Sequence, residues 1–196
     1  PSTFSGSNTV GHGLGVIPNL IIMKSTSTAG ENWMVHHTDL GNGGYIRLNT
    51  SGASGTSGNL YTGTTSTVFN PADTSAPNIS YIAYCFANVA GYSSFGSYTG
   101  NGSTTGPIIN TAFEPAFLIV KRTDGTANWR LVDNKRSPSN PRQKVLFPNL
   151  NNAESDVSDD AVDFLTNGFQ IKNNDSSWNN NGCLLYTSDA ADEPKG

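Results

Sequence analysis

The sequence predicts an all-β protein, built as tandem antiparallel β-sandwich modules of jelly-roll or lectin-like type, the second module incomplete. Three observations predict it. The segment Pro18-Asn19-Leu20-Ile21-Ile22-Met23-Lys24 returns 97 residues later as Pro115-Ala116-Phe117-Leu118-Ile119-Val120-Lys121. Each copy is followed by an Asn-Trp pair, Asn32-Trp33 and Asn128-Trp129. No stretch sustains an apolar period of about 3.6 residues over three turns, as a helix would require. Proline, strand, turn and tryptophan strand used twice describe one module in tandem, and strands of this kind must stack in layers so that each sheet buries a face.

Residues 1–15 are rich in Ser, Gly, Asn and Thr and end in Gly11-His12-Gly13-Leu14-Gly15, a turn or bulge feeding the strand at 19–24. After a connection over 25–31 comes a strand at 33–37. Gly41-Asn42-Gly43-Gly44 turns the chain into Tyr45-Ile46-Arg47-Leu48, whose alternation places Tyr45 and Arg47 opposite Ile46 and Leu48. Residues 49–67 carry only Leu60 and Tyr61 as bulky members and read as a surface loop or short edge strands. A turn region follows at 71–77. The run at 79–87, Ile-Ser-Tyr-Ile-Ala-Tyr-Cys-Phe-Ala, is apolar on both faces and reads as a central strand.

The second copy opens near residue 98 and repeats the order: Ile108-Ile109, a strand at 117–120, another at 129–132, then Lys144-Val145-Leu146-Phe147 in the place of 45–48. Its loop at 133–143 is richer in charge and proline than the first. Val162-Asp163-Phe164-Leu165 reads as a short helix or strand, and Asn167-Gly168 predicts a type I′ turn before Phe169. The domain reading is 1–97, 98–182 and a tail at 183–196. Where a strand like 79–87 is due, the chain reads Cys183-Leu184-Leu185-Tyr186-Thr187-Ser188-Asp189-Ala190-Ala191-Asp192-Glu193. That string resembles a translated transposase-type sequencing adapter, which implies a non-native tail and a missing last strand. Leu184, Leu185 and Tyr186 would still pair with an open edge, because any short apolar string can supply backbone hydrogen bonds there.

Eleven Lys and Arg against 15 Asp and Glu give a net charge of −4, and only 13% of residues are charged. That is about half the usual share, so solubility falls to Ser, Thr, Asn and Gly. The basic residues between 135 and 144 are too few and too interrupted for a nucleic-acid footprint. No apolar run reaches the length of a membrane span, so no membrane insertion is expected. Two cysteines, Cys85 and Cys183, allow one disulfide arithmetically, and a foreign tail argues against it.

Chemistry is sparse. His36 and His37 are adjacent on a strand and face opposite ways, with Asp133 and Asn134 at their places in the second copy, so neither a metal site nor a cofactor is expected. The glycine- and serine-rich segment at 52–58 lacks the spacing of a nucleophile elbow. Carboxylates such as Glu31, Asp39, Glu114 and Asp133 form no pattern fixed in both copies, so no catalytic pair is assigned. Asp156, Asp159, Asp160 and Asp163 carry hard oxygens without calcium-loop spacing and read as a solvated acidic loop. Lys24 and Lys121 end core strands and read as edge caps. Trp33, Tyr92 and Trp129 are the candidate ligand-binding residues, since an aromatic face can stack on the apolar side of a sugar.

Gly11-His12-Gly13-Leu14-Gly15 with Pro18, Tyr81-Ile82-Ala83-Tyr84-Cys85-Phe86, the glycine-rich run at 91–102, Asn128-Trp129 and Asn167-Gly168-Phe169 together resemble a repeated β-rich domain of marine bacteriophage tail-fibre and other virion proteins. The resemblance spans about residues 9–182. It implies a non-enzymatic virion component at the tail, extracellular, contacting a host surface glycan or receptor and other tail-fibre segments, and assembled as a homotrimer. The rival readings are a carbohydrate-active enzyme (a polysaccharide depolymerase) and a purely structural spacer.

Overall fold

The structure, a computed structural model, describes residues 2–4, 9–71 and 79–190. Most of the turn region at 71–77, with Asp73, and the end of the 183–193 string lie outside the described residues. The chain is nearly all β and divides into two compact units, one of residues 1–49 and 54–87, the other of 50–53 and everything from Asn88 on. The division falls between Ala87 and Asn88 rather than near residue 98.

In the first unit β1 (Ser2–Phe4), β3 (Leu20–Ser25), β4 (Met34–His37), β5 (Gly44–Arg47), β6 (Gly55–Thr56) and β8 (Ile79–Phe86) form a six-stranded sheet in the order β1-β8-β3-β4-β5-β6. The short pair β2 (Val10–Gly11) and β7 (Val68–Phe69) provides the facing layer. Alternation along β3 sends Ile21 and Met23 inward, where they pack with Phe69 and Tyr61. The opposite face of β8 leaves Ile82, Tyr84 and Phe86 exposed. Tyr61, placed by sequence in a surface loop, is instead 1% exposed, because its ring supplies bulk that the thin second layer lacks.

The second unit repeats this plan. β9 (Ser93–Thr99), β11 (Pro115–Arg122), β12 (Arg130–Asp133) and β17 (Cys183–Ala190) form one sheet in the order β12-β11-β17-β9. The pair β13 (Lys144–Val145) and β14 (Ser155–Asp156) continues it through a Leu131–Leu146 bridge. The facing sheet is β10 (Ile108–Asn110), β16 (Gly168–Ile171) and β15 (Val162–Leu165), in that order. Between them lies a full core that includes Leu118, Val120, Val132, Phe169 and Trp178. Residues 162–165 are therefore a strand, and 183–190 fills the central seat beside β11, with Leu184 and Tyr186 in the core.

Registers fix the correspondence between units. Gly44 pairs with Thr56 and Tyr45 with Gly55; Lys144 pairs with Asp156 and Val145 with Ser155. Leu20 pairs with His37 as Phe117 pairs with Asp133, so His36 and His37 correspond to Val132 and Asp133, one residue earlier than sequence alignment placed them. The β15–β16 turn is also not type I′. Leu165 pairs with Gly168, so Thr166 and Asn167 are the central residues, and neither has the positive φ that turn needs. Gly168 is required for another reason. Its φ is +156°, and a Cβ there would lie 1.9 Å from the Ile109 carbonyl oxygen across the sheet.

Candidate functional site

The Asn-Trp pairs prove to be a backbone clip. In the first unit Asn49 accepts the Trp33 backbone N–H through Oδ1 at 2.9 Å and donates from Nδ2 to Asn32 Oδ1 at 3.0 Å. In the second Asn149 repeats both bonds with Trp129 and Asn128, at 2.9 and 2.8 Å. Trp33 is half-buried with the Lys24 ammonium 6.0 Å from its ring centre, whereas Trp129 is buried. Tyr92 lies exposed in a tight turn whose N–H donates to Val89. Within the second unit, Tyr92 and Trp129 differ in exposure and share no described contact.

The lysines are not edge caps, since β3 and β11 are both internal strands. Lys24 Nζ donates to the Glu31 carbonyl. Lys121 is fully buried and donates to the carbonyls of Arg122 at 2.6 Å and Ser51 at 3.4 Å. Burial, with the Arg122 charge nearby and Asp124 opposing, pushes its amine down to about 8. The acidic segment is not wholly solvated either. Asp160 is buried against Arg130 at 2.7 Å, and Asp163 faces Lys172 at 3.8 Å. Among the described residues no three His, Cys, Asp or Glu side chains group so as to hold a metal ion.

The feature that sequence reasoning missed is an open groove of about 350 Å³ in the first unit, lined by Ile17, Pro18, His36, Thr38, Gly41, Asn42, Tyr61, Gly63 and Thr64. One wall is the end of β4 with the single 3₁₀ turn Thr38–Leu40; the other is the chain around Tyr61. His36 stacks on Tyr61 with ring centres 4.8 Å apart and planes 17° from parallel. Its Nδ1 lies 2.8 Å from the Gly44 carbonyl, which can only accept, so Nδ1 carries the proton and Nε2 is left as an acceptor. Burial lowers the His36 pKa, with the Gly44 bond opposing, and the ring is neutral. The buried Tyr61 phenol is pushed up in pKa and donates to the Met34 carbonyl at 3.2 Å.

The groove has a local cause. In the second unit the matching walls are joined: the Arg142 N–H donates to Val162 O at 2.7 Å and the Val162 N–H returns to Arg142 O at 2.9 Å. By register these positions are Asn42 and Thr62 in the first unit, and its described residues contain no such bridge. Tyr61 at φ +51° and Gly63 at φ +68° take the chain out of strand geometry where β15 runs in the second unit. Val132 replaces His36, and the buried Arg142 side chain lies over Phe164 at 5.1 Å. At this position the second unit is bridged by backbone and the described residues of the first are not.

Fold and site together define a tandem all-β module with an open groove in its first unit. A family model described as a domain of unknown function (DUF7483) matches residues 2–194, and the chain belongs to that family. The match runs through β17. No curated protein matches the chain, and no solved structure does.

Proposed function

We propose that this chain is a structural and host-recognition module of a phage tail fibre or related virion appendage, acting outside the cell and presenting its first unit to a surface glycan or protein receptor. The observation that carries recognition is the groove of the first unit, at a place where the second unit, alike in strand order and register, carries a closing backbone bridge. A duplicated module that keeps its registers and loses one closing bridge has exchanged local stability for exposed polar groups. The residue types support adhesion over hydrolysis, since no carboxylate is among the described residues that line the groove. The closed second unit supports a spacer role for that half, and homotrimerisation follows from the virion assignment.

The test is a glycan and cell-surface binding screen of the full chain, wild type against Asn42→Arg, with sedimentation to count protomers. Binding by wild type that the substitution weakens supports recognition by this unit. Absence of binding to every surface, with a monomer in sedimentation, overturns the reading. We also propose that 183–193 is a foreign string, of which 183–190 occupies the seat of a native strand, a reading supported by the polar Ser188 and Asp189 beside core strand β11.

A further inference from the structure

We infer that the groove of the first unit binds an uncharged, hydroxyl-rich ligand of one or two sugar rings, which gives the recognition reading above, on which this rests, a ligand class. Among the described lining residues there is no lysine, arginine, aspartate or glutamate, and burial lowers the pKa of His36 so that its ring is neutral at pH 7. A carboxylated or sulfated ring entering here would lose water with no cation to receive it, which costs far more than a neutral hydroxyl does.

The polar groups match neutral hydroxyls in both directions. His36 Nε2 accepts, as the donor Nδ1 is committed to Gly44. The Asn42 amide both donates and accepts, as does the Thr38 hydroxyl. Thr64 donates weakly to the Tyr61 carbonyl at 3.4 Å, which leaves its oxygen as an acceptor. Backbone groups at Asn42 and Thr62 also lack the bridge that their counterparts Arg142 and Val162 make. Ile17, 54% exposed beside the buried Pro18, offers the apolar surface on which the C–H face of a sugar ring rests. At about 350 Å³ the space sits at the small end of the roughly 300–1,000 Å³ of small-molecule sites, enough for a short saccharide and too little for a long one.

The experiment is an amide NMR titration of the full ¹⁵N-labelled chain with the methyl glycosides of glucose, galactose, mannose and N-acetylglucosamine, and separately with glucuronate and N-acetylneuraminate. At least one neutral glycoside should give saturable shifts centred on Thr38, Asn42 and Thr64 with a Kd of about a millimolar, while the anionic sugars give at least tenfold weaker shifts. Asn42→Arg, which installs the second unit's residue, should weaken binding tenfold or more. Thr64→Val serves as a second variant that keeps side-chain volume and should weaken it several-fold. No saturable shift with any neutral glycoside, equal response to the anions, or shifts that both variants leave unchanged would overturn the inference. If the titration fails while the full chain still adheres in the surface screen, the groove assignment falls and the recognition role stands; if both fail, both fall.

Discussion

Asn149 holds Trp129 by its backbone, accepting the indole residue's amide N–H at 2.9 Å while its own Nδ2 is tied to Asn128. Asn49 does the same for Trp33. Each asparagine thereby fixes the entry to a core strand, β12 or β4, from a position beyond the next strand. The recurrent Asn-Trp of the sequence is a fold element, and the bond is made to the tryptophan backbone rather than to its ring.

Replacing Asn149 by Ala should therefore destabilise the second unit by about 1–3 kcal/mol, since the Trp129 N–H is part-buried and loses its acceptor. Asn49→Ala should cost less, because the Trp33 bond is exposed and water can substitute. Urea unfolding followed by tryptophan fluorescence measures both; equal costs would mean that solvent access does not set the strength of the clip.

Asp160 accepts a hydrogen bond from Trp178 Nε1 at 2.7 Å and forms an ion pair with the Arg130 guanidinium, whose Nε lies 2.7 Å away, deep in the second unit. Asp160→Ala leaves the Trp178 N–H without its acceptor and the Arg130 guanidinium with only Asp175, 3.4 Å away, as a counter-charge, for which about 3 kcal/mol of destabilisation is expected. Asp160→Asn keeps an acceptor for the indole and should lose roughly half of that. Similar midpoints for the two variants in urea unfolding would show that the charge, and not the Trp178 bond, dominates.

Chain-local patterns were legible in the sequence: the proline-led core strand, its lysine end and the Asn-Trp clip recur with little change of spacing, so the two units and their central sheets could be read directly. The groove was not, because it depends on whether Asn42 reaches Thr62 across the module, and that is decided by left-handed backbone at Tyr61 and Gly63. Polar composition around Tyr61 concealed its burial, since a thin facing layer drew its ring in beside Phe69. Gly168 carried a turn signal for a different physical reason, the close approach of the Ile109 carbonyl.

Lys121 gives the second unit a distinct alkaline response. Its amine titrates at about 8 when folded against 10.5 as a free side chain, so between those values the unfolded chain binds more protons and stability rises with pH. The gain is roughly 3 kcal/mol across the window. Above about pH 10 the raised phenol pKa of the buried Tyr98 acts oppositely, because unfolding then releases a proton. Lys121→Met should flatten the rise between pH 8 and 10 and raise stability at pH 7. Urea midpoints across that range decide it; an unchanged slope in the variant would place the titration elsewhere.

The last strand carries its own test. Leu118 pairs with Ser188 and Phe117 with Asp189, whereas the matching pairs in the first unit are Ile21 with Cys85 and Leu20 with Phe86. Ser188 is fully buried, and burial raises the Asp189 carboxyl above its ordinary value. The buried carboxyl is a cost that a strand shaped for this seat would not carry, while the Ser188 hydroxyl is partly compensated by a long bond to the Ser94 carbonyl at 3.4 Å. Grafting the first unit's residues as Ser188→Cys with Asp189→Phe should stabilise the second unit by about 1–2 kcal/mol through added apolar burial. It should also remove the increase in stability that protonating Asp189 gives on acidification, since a carboxyl raised in the fold binds its proton more tightly folded than unfolded. A lower urea midpoint for the double variant would mean that the seat is adapted to the serine and aspartate, and 183–190 would then have to be read as the unit's own strand.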